Sequence, residues 1–280
     1  MIENKKSVQF RYTALISVYF QENPRFLEKS LLSIVNQELA PTEVILIEDG
    51  IFSKELKNSI DSFEKQCQIK DIQVIIIEHP EPQGLARSLN EGIKMSSTDF
   101  IARFDSDDIS STNRVLVQAP LFSDGLVSVV GSYVQEFSDT SDDIRIKKVP
   151  LNNQDIVQYA KKRNPMNHMS VIFRKDDVAK VGSYDEISFF EDYQLWVKLL
   201  LNHKKFINLS NVLVSARTED NFLDRRSGLK YAKAEFQLQK IFYKLKFINL
   251  FEFLRNFILR SIVRVAPKAV LKQVYVILRG

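Results

Sequence analysis

Residues 99–108 read DFIARFDSDD, an apolar run of strand length that stops at three aspartates. Three earlier stretches are equally rich in apolar and β-branched residues: TALISVY (13–19), EVILIED (43–49) and IQVIIIE (72–78). Between these runs, apolar residues at three-to-four spacing predict helices in PRFLEKSLLSIVNQ, SKELKNSIDSFEKQ and GLARSLNEGIKMS. Apolar strands that alternate with helices predict an α/β fold, a Rossmann-like and mostly parallel sheet with helices on both faces.

The second half of the chain continues this pattern less regularly. Residues 126–150 contain LVSVVGSYVQEF, an acidic turn and IRIKKVP, which together predict a β-hairpin. Helices are predicted for NQDIVQYAKK (153–162) and EDYQLWVKLLLNH (191–203). Because no linker rich in glycine or serine interrupts the chain, we expect residues 1–225 to form one domain and residues 226–280 a helical extension.

The composition is that of a globular enzyme, since 45% of the 280 residues are hydrophobic and 26% are charged. Cys67 is the single cysteine, which excludes an intrachain disulfide framework and suits a reducing cytoplasm. The amino-terminal sequence lacks the pattern of a signal peptide, and no stretch of about eighteen residues is apolar enough to span a membrane. We therefore expect the protein to be made and kept in the cytoplasm.

Acidic residues follow two of the predicted strands. Glu48 and Asp49 end the second strand, and Asp105, Asp107 and Asp108 follow the fourth. In sheets of this kind ligands bind outside the carboxyl ends of the strands, so both groups are expected at the ligand-binding edge. Carboxylates this close repel one another unless water or a cation compensates them. The aspartate cluster is therefore either an acidic turn that caps a helix or a divalent-metal site.

The order of these motifs resembles that of glycosyltransferase family 2, nucleotide-sugar-dependent enzymes with the type A fold. The matching segments are ISVYFQENPRFLEKSLLSIVNQ, EVILIEDG, GLARSLNEGI, ARFDSDDIS and FFEDYQLWVKLL, and they span nearly the whole chain. RNPMNH and the tail further resemble bacterial enzymes of capsule, exopolysaccharide and O-antigen synthesis, of the amylovoran type. The resemblance implies an inverting transfer from a UDP-sugar to a lipid-linked saccharide, with Mn²⁺ or Mg²⁺ as cofactor.

On the donor side, the resemblance assigns roles to individual residues. Asp107 is implied as the direct metal ligand, with Asp105 contacting the metal or the ribose. Asp108 either caps the following turn or reaches a water bound to the metal. Asp49 is implied to accept a hydrogen bond from the uracil ring. Arg103 either contacts the donor or is a strand residue with an ion-pair partner. Further donor contacts are implied for Ser17, Tyr19, Glu22, Gly84 and Asn90, and a contact with the diphosphate for Arg217.

On the acceptor side, inversion requires a base that takes the proton of the attacking hydroxyl. The resemblance implies Asp192 as this base, with Glu191 in a supporting role. Both acids stand where a helix is predicted to begin, and carboxylates are stabilising there without any catalysis. His168 and Asn167 are implied to contact the acceptor, although a histidine buried in the core is the alternative for His168.

Two other functions fit parts of the pattern. A nucleotidyltransferase also uses metal-bound carboxylates, but the loop after the first strand, SVYFQENP, lacks the glycines that cradle a triphosphate. A non-catalytic protein that binds sugar nucleotides or membranes is expected to have lost one of the acids. Asp105, Asp107 and Asp192 are all present, which favours an enzyme.

The tail is strongly basic. Residues 241–280 hold eight basic residues and one acidic residue, while the net charge of the whole chain is +4. From residue 247 onward the cations, including Arg260, Arg264, Lys268 and Lys272, are interleaved with aliphatic and aromatic residues. This pattern favours two helices, separated at Pro267, that lie on the anionic inner face of the cell membrane, and it does not favour nucleic-acid binding. Packing of these helices on the catalytic domain is the alternative.

Overall fold

The computed structural model describes residues 10–140, 144–187, 189–218 and 228–265. Within these residues nine strands form one sheet. The strands are β1 (Tyr12–Tyr19), β2 (Glu43–Asp49), β3 (Gln73–His79), β4 (Phe100–Phe104), β5 (Ile109–Ser110), β6 (Val127–Phe137), β7 (Arg145–Lys147), β8 (Ile172–Arg174) and β9 (Lys205–Arg217). Their order across the sheet is β3-β2-β1-β4-β8-β6-β9-β5, and β7 pairs with β6 beside this path.

Helices cover the sheet and connect its strands. In the part of the chain that the structure describes they are α1 (Pro24–Val35), α2 (Lys54–Ile69), α3 (Leu85–Met95), α4 (Arg114–Gln118), α5 (Asn153–Ala160), α6 (Lys175–Lys180), α7 (Glu191–Leu201), α8 (Gly228–Lys244) and α9 (Leu250–Val265). The described residues also include two 3-10 turns, Ala119–Phe122 and His168–Ser170.

The first four strands form the parallel half of the sheet. β1 pairs with β2 on one side and with β4 on the other, and β2 pairs with β3. The strands and helices predicted for this half are confirmed, and α1 begins at Pro24 as its sequence predicts. The strand order reverses beside β1, and in sheets of this kind the ligand-binding crevice is expected at the carboxyl ends of the strands next to such a reversal, here β1 and β4.

The second half of the sheet mixes orientations. β8 pairs antiparallel with β4 and β6, β5 pairs antiparallel with β9, and β6 and β9 are parallel. The predicted hairpin is confirmed, since β6 and β7 are antiparallel neighbours. β5, β8 and β9 were not predicted from the sequence. β5 and β8 are too short to show periodicity, and the exposed segment of β9 interrupts its alternation where the register with β6 shifts.

Two hydrophobic layers hold the helices against the sheet. On one face α1 and α2 contribute Leu31 and Phe63, and Cys67 is buried among them as a structural thiol. Burial raises the pKa of Cys67 to about 12, so the thiol stays protonated at neutral pH. On the other face α3, α7 and α8 pack around Trp196, which is fully buried, and Phe242.

The predicted boundary between the domain and the extension, at residue 225, lies outside the described residues. Beyond it, α8 contributes to the same hydrophobic layer as α7, so this helix packs on the domain. α9 packs against α8 through one side and leaves large apolar side chains exposed on another. Of the cations expected in the tail, Lys268 and Lys272 lie outside the described residues. No helix among those described is long and apolar enough to cross a membrane.

Candidate functional site

The carboxyl ends of three parallel strands stand side by side. The register pairs Tyr19 of β1 with Asp49 of β2, and Asp49 with His79 of β3. Ser17 is half-buried two residues before Tyr19, whose ring is exposed. This register places Asp49 at the carboxyl edge of the sheet, as its sequence predicts, and binding of a ligand there stays a prediction. The same strand ends therefore form a floor beside the crevice.

Asp49 is a buried carboxylate that holds the loop between β3 and α3. Its Oδ1 accepts a hydrogen bond from the Gln83 amide at 2.6 Å, and its Oδ2 accepts one from the Gly84 amide at 2.9 Å. Gly84 precedes the first residue of α3 with φ of 89°, a conformation that favours glycine. The position of Asp49 is thus set by two neighbouring strands and by the start of α3.

The three aspartates after β4 form a compact cluster. Asp105, Asp107 and Asp108 each offer a carboxylate oxygen within 4.8 Å of the others. The backbone carbonyl of Asp105 accepts a hydrogen bond from the Ser30 hydroxyl at 2.5 Å, which ties the loop to α1. Glu22 joins the cluster from the loop after β1, because its Oε2 accepts a hydrogen bond from the Ser106 hydroxyl at 2.5 Å.

The charges of this cluster are incompletely compensated. Burial, with the negative charges of Asp105 and Glu22, raises the pKa of Asp107 to about 7. Burial and the two neighbouring aspartates raise the pKa of Asp108 well above its ordinary value. All the donors are carboxylate oxygens, which are the ligands that Mg²⁺ and Mn²⁺ prefer. The cluster therefore fits a divalent cation in both chemistry and charge.

Arg217 connects the end of β9 to the aspartate cluster. Its backbone amide donates a hydrogen bond to Asp108 Oδ1 at 2.8 Å, and its Nε donates to the Asp107 carbonyl at 3.2 Å. The guanidinium lies between two rings, 3.8 Å from the centroid of Phe26, and also pairs with Asp139. Arg217 is thus brought to the site, where its side chain fixes the loop that carries the acids.

Arg103 lies on β4, and its side chain is buried between the two groups of acids. It forms an ion pair with Asp105, and its charge favours the ionised forms of both Glu191 and Asp192. Its Nε and Nη1 atoms are buried and have no hydrogen-bond partner among the described residues. Buried donors without partners are costly, so these two atoms call for a partner from outside the described residues.

Glu191 and Asp192 begin α7 on the other side of the crevice. The Asn164 amide donates to Asp192 Oδ2 at 2.6 Å, and the Tyr193 backbone amide donates to Asp192 Oδ1 at 2.6 Å. Burial raises the pKa of Asp192, and these two hydrogen bonds oppose the rise. Burial and the charge of Asp192 raise the pKa of Glu191 to about 7. Hydrogen bonds from Asn164 and from the Tyr193 amide therefore stabilise the ionised form of Asp192, whereas the charge of Asp192 disfavours ionisation of Glu191.

Three predicted contacts have side chains that are engaged with the protein itself. Both side-chain atoms of Asn90 bond to the backbone of Tyr184, at 2.8 and 2.9 Å, which ties α3 to the segment before α7. His168 is buried, its Nε2 lies 2.8 Å from the Tyr184 hydroxyl, and burial together with nearby Arg103 holds its pKa well below the usual range. Asn167 is buried and donates to the Ser132 carbonyl. These contacts agree with the packing alternative for His168, and the substrate roles of all three stay predictions.

Two further residues at this edge were not identified from the sequence. Asn164 belongs to the RNPMNH segment, but only the structure shows that it bonds to Asp192. His79 ends β3 and contacts both Asp49 and Glu91. His79 could have been identified from the sequence, because it ends β3 as Asp49 ends β2 and therefore lies at the same edge of the sheet.

Comparisons with known proteins agree with this geometry. A family model described as "Glycosyl transferase family 2" matches residues 13–181. The "UDP-Gal:alpha-D-GlcNAc-diphosphoundecaprenol beta-1,3-galactosyltransferase" of Escherichia coli is 36% identical over 267 residues, which cover 95% of this chain and 95% of the relative. The "Amylovoran biosynthesis glycosyltransferase AmsE" of Erwinia amylovora is 33% identical over 265 residues, which cover 94% of this chain and 97% of the relative.

A solved structure shares the fold. The mannosyltransferase PcManGT from Pyrobaculum calidifontis, in complex with GDP-Man and Mn²⁺, superposes with a TM-score of 0.64 at 13% identity. The superposition covers 85% of this chain and 65% of that chain. At this identity the likeness shows the fold alone, and the predicted type A fold is confirmed.

Proposed function

Because this chain belongs to glycosyltransferase family 2, we propose that it moves a sugar, with inversion, from a UDP-sugar to a hydroxyl of a lipid-linked saccharide. The observation that carries the proposal is the arrangement of the acids. Asp49 ends β2 and the aspartate cluster follows β4, the strands on either side of β1, and Arg103 pairs with Asp105 and acts on Asp192. The name of the Escherichia coli relative supplies the UDP-sugar donor and the diphosphoundecaprenol-linked acceptor, and the name of the Erwinia amylovora relative supplies a role in amylovoran biosynthesis.

On the donor side, Asp49 accepts a hydrogen bond from the uracil ring in this proposal. Its carboxylate is already oriented by the Gln83 and Gly84 amides, so little reorganisation is needed. Ser17 and Tyr19 line the same floor, and Glu22 stands at its rim. The free nitrogen atoms of Arg103 point to a contact with the anionic part of the donor.

Asp107 and Asp105 hold Mn²⁺ or Mg²⁺ in this proposal, while the Arg217 amide fixes Asp108 beside them. When bound, the ion would offset the negative charge that builds on the departing UDP. The side chains keep their oxygens together before any ion arrives, because Ser30 and Arg217 anchor the loop on both sides.

Asp192 takes the proton of the acceptor hydroxyl in this proposal. Hydrogen bonds from Asn164 and from the Tyr193 amide favour its ionised form, which a base requires. Glu191 stands next to it with a pKa of about 7 and supports binding of the acceptor. Arg103 lies between these acids and the aspartate cluster, so one cation serves both halves of the site.

We further propose that the enzyme works on the cytoplasmic face of the cell membrane, where a lipid-linked acceptor is embedded. α9 presents exposed apolar side chains that suit an interfacial helix. The exposed residues are Leu250, Phe251, Leu254, Phe257, Ile258 and Leu259. Residues 241–280 carry eight basic residues and one acidic residue, which complements anionic lipid headgroups.

The test is a donor screen with the full-length protein and a synthetic lipid diphosphate carrying one N-acetylglucosamine. UDP-galactose, UDP-glucose and their N-acetylated forms are offered with Mn²⁺, and UDP release and a glycosylated lipid are both measured. We expect one donor to give both products in equal amounts. Release from no sugar nucleotide, together with no binding of UDP, would exclude the proposal. A sugar-1-phosphate converted with UTP into a sugar nucleotide would indicate a nucleotidyltransferase instead.

A further inference from the structure

His79 has a carboxylate at each of its two ring nitrogens. Nδ1 lies 3.1 Å from Asp49 Oδ1, and Nε2 lies 2.7 Å from Glu91 Oε2 of α3. The imidazole side chain is only 10% exposed and the Asp49 side chain only 6%, so water does not readily replace the contact between them. His79 therefore lies between two acids at the end of β3, the strand at one end of the sheet, next to Asp49 of the proposed donor site.

The two contacts determine where protons reside. An ionised carboxylate only accepts hydrogen bonds, whereas a neutral imidazole has one N–H donor. With a neutral ring, one nitrogen would therefore direct its lone pair at a carboxylate. Both contacts become hydrogen bonds when the ring is an imidazolium, which donates from Nδ1 and from Nε2 together.

The imidazolium also completes the set of groups that orient Asp49. Asp49 Oδ1 receives both His79 and the Gln83 amide, and Oδ2 receives the Gly84 amide. His79 is the cationic member of this set and therefore compensates the charge of the buried carboxylate. We infer that His79 is a positioning residue, whose protonated ring holds Asp49 for the nucleotide base and makes donor binding depend on pH.

This inference rests on the proposed function, because it takes Asp49 as the contact to the base. The charged groups within hydrogen-bonding distance of the ring, among the described residues, are Asp49 from β2 and Glu91 from α3. Burial lowers the pKa of His79, but the hydrogen bonds and charges of Glu91 and Asp49 outweigh it, so the pKa is raised above the ordinary value. The imidazolium is therefore present over a wider pH range than in an isolated histidine.

The opposite face of the same strands carries a second, separate ion pair. Lys57 of α2 lies 2.5 Å from Glu48 and 2.7 Å from Glu78. Because successive side chains of a strand alternate between faces, Glu78 points away from the ring of its neighbour His79. Glu78 therefore offers a matched control, since removing its charge changes the same strand without touching Asp49.

The experiment compares the wild type with His79→Gln, Glu91→Gln and Glu78→Gln. Affinity for UDP in the presence of Mn²⁺ is measured by calorimetry from pH 5.5 to pH 9. The affinity of each variant is then divided by the affinity of the wild type at the same pH. The ionisation of UDP itself cancels in this ratio. We expect His79→Gln to bind about tenfold more weakly at pH 6 and to approach the wild type at high pH, since a charge-assisted hydrogen bond is lost.

In the wild type, the affinity for UDP should fall over the pH range in which His79 loses its proton. Glu91→Gln should move this fall to lower pH, because the ring loses one of the charges that raise its pKa. Glu91 is 45% exposed, so this variant is informative even if His79→Gln fails to fold. Glu78→Gln should match the wild type at every pH. Equal affinity of His79→Gln and the wild type at pH 6, or a fall at the same pH in Glu91→Gln as in the wild type, would overturn the inference while UDP binding stands. Absence of UDP binding by the wild type at every pH would instead overturn the proposed function.

Discussion

Arg103 shows, at the scale of single residues, how the site balances its charges. The side chain pairs with Asp105, as the ion-pair alternative from the sequence stated. The same guanidinium keeps two donors without partners among the described residues, which agrees with a contact to the donor. Its charge also favours ionised Asp192. One buried cation thus links the group that is expected to bind the metal with the group that is expected to take a proton.

Replacing Asp107 by Asn should lower activity by about 100-fold or more. The substitution preserves the shape of the side chain and removes one negative charge from the cluster, and stabilisation of a leaving group by charge is typically worth several kcal/mol. Initial rates of UDP release with increasing Mn²⁺ measure the effect. Asp176→Asn is the matched control, because Asp176 is an exposed acid at the start of α6. Full activity of the wild type in EDTA would show that the cluster is only an acidic turn.

Replacing Asp192 by Asn should abolish transfer and leave the affinity for UDP nearly unchanged, because a base acts on the acceptor. The amide can still contact Asn164, so the fold should be retained. Transfer rates and UDP affinity are measured on the same preparation. If the variant no longer binds UDP, Asp192 belongs to the donor site or to the scaffold.

Glu191→Gln provides the comparison for that experiment. Removing the negative charge next to Asp192 lowers the pKa of Asp192, since like charges disfavour ionisation. We expect the acidic limb of the rate–pH profile to move to lower pH while activity is partly retained. An inactive Glu191→Gln together with an active Asp192→Asn would transfer the role of base to Glu191.

At the scale of elements, α8 and α9 differ although both follow the predicted domain boundary. Tyr231 of α8 packs against Phe189 and Phe190, which directly precede the acids of α7, with ring centroids 5.0 Å apart. Phe242 packs against Tyr193 on the far side of those acids. α8 therefore supports the start of α7, whereas α9 turns apolar residues to the outside.

The exposed face of α9 should bind anionic membranes. Replacing Phe251, Leu254 and Ile258 by Ser removes three exposed apolar side chains that follow one face of the helix. We expect the wild type to sediment with vesicles that contain phosphatidylglycerol at low salt, and the triple variant to remain in solution with its affinity for UDP intact. Phe247 and Ile248 are buried, so a deletion of the tail should begin after them.

The matched control for α9 replaces exposed apolar residues elsewhere, namely Leu126, Ile69 and Met95. This control should sediment as the wild type does, because its substitutions lie outside the basic part of the chain. If the wild type does not bind such vesicles at low salt, the membrane proposal fails, and the exposed face of α9 is assigned to a contact with protein. Loss of binding in both variants would point to general hydrophobic adhesion.

At the scale of the whole molecule, the parallel half was predictable and the antiparallel half only in part. β1 to β4 are long apolar runs separated by helices, so local periodicity and strand length sufficed. The acids at the ends of these strands could be located for the same reason. β5 and β8 have two and three residues, and such short strands are determined by their neighbours in space.

Local sequence patterns also did not predict the buried polar contacts. Arg114 is fully buried, its pKa is lowered to about 9 by burial, and it donates to the Arg103 carbonyl at 2.7 Å. A cation in a helix is ordinarily assigned to the surface. Arg114 is buried because it also bonds to the Ser110 hydroxyl and to the carbonyl of Val171, which precedes β8. The partners of His79 and Asn164 depend on the same kind of long-range packing.

β9 contributes to the site late in chain order, and this has a consequence for synthesis on the ribosome. The strand ends at Arg217, whose amide and guanidinium fix the loop of Asp107 and Asp108. Translation at about 5–20 residues per second needs roughly 5–20 s to proceed from these aspartates to Arg217. During that interval the nascent polypeptide holds the parallel strands and the acids, while the clamp on their loop has not yet been made. The strands that are proposed to bind the nucleotide are therefore synthesised before Arg217, the residue that fixes the loop of the proposed metal ligands.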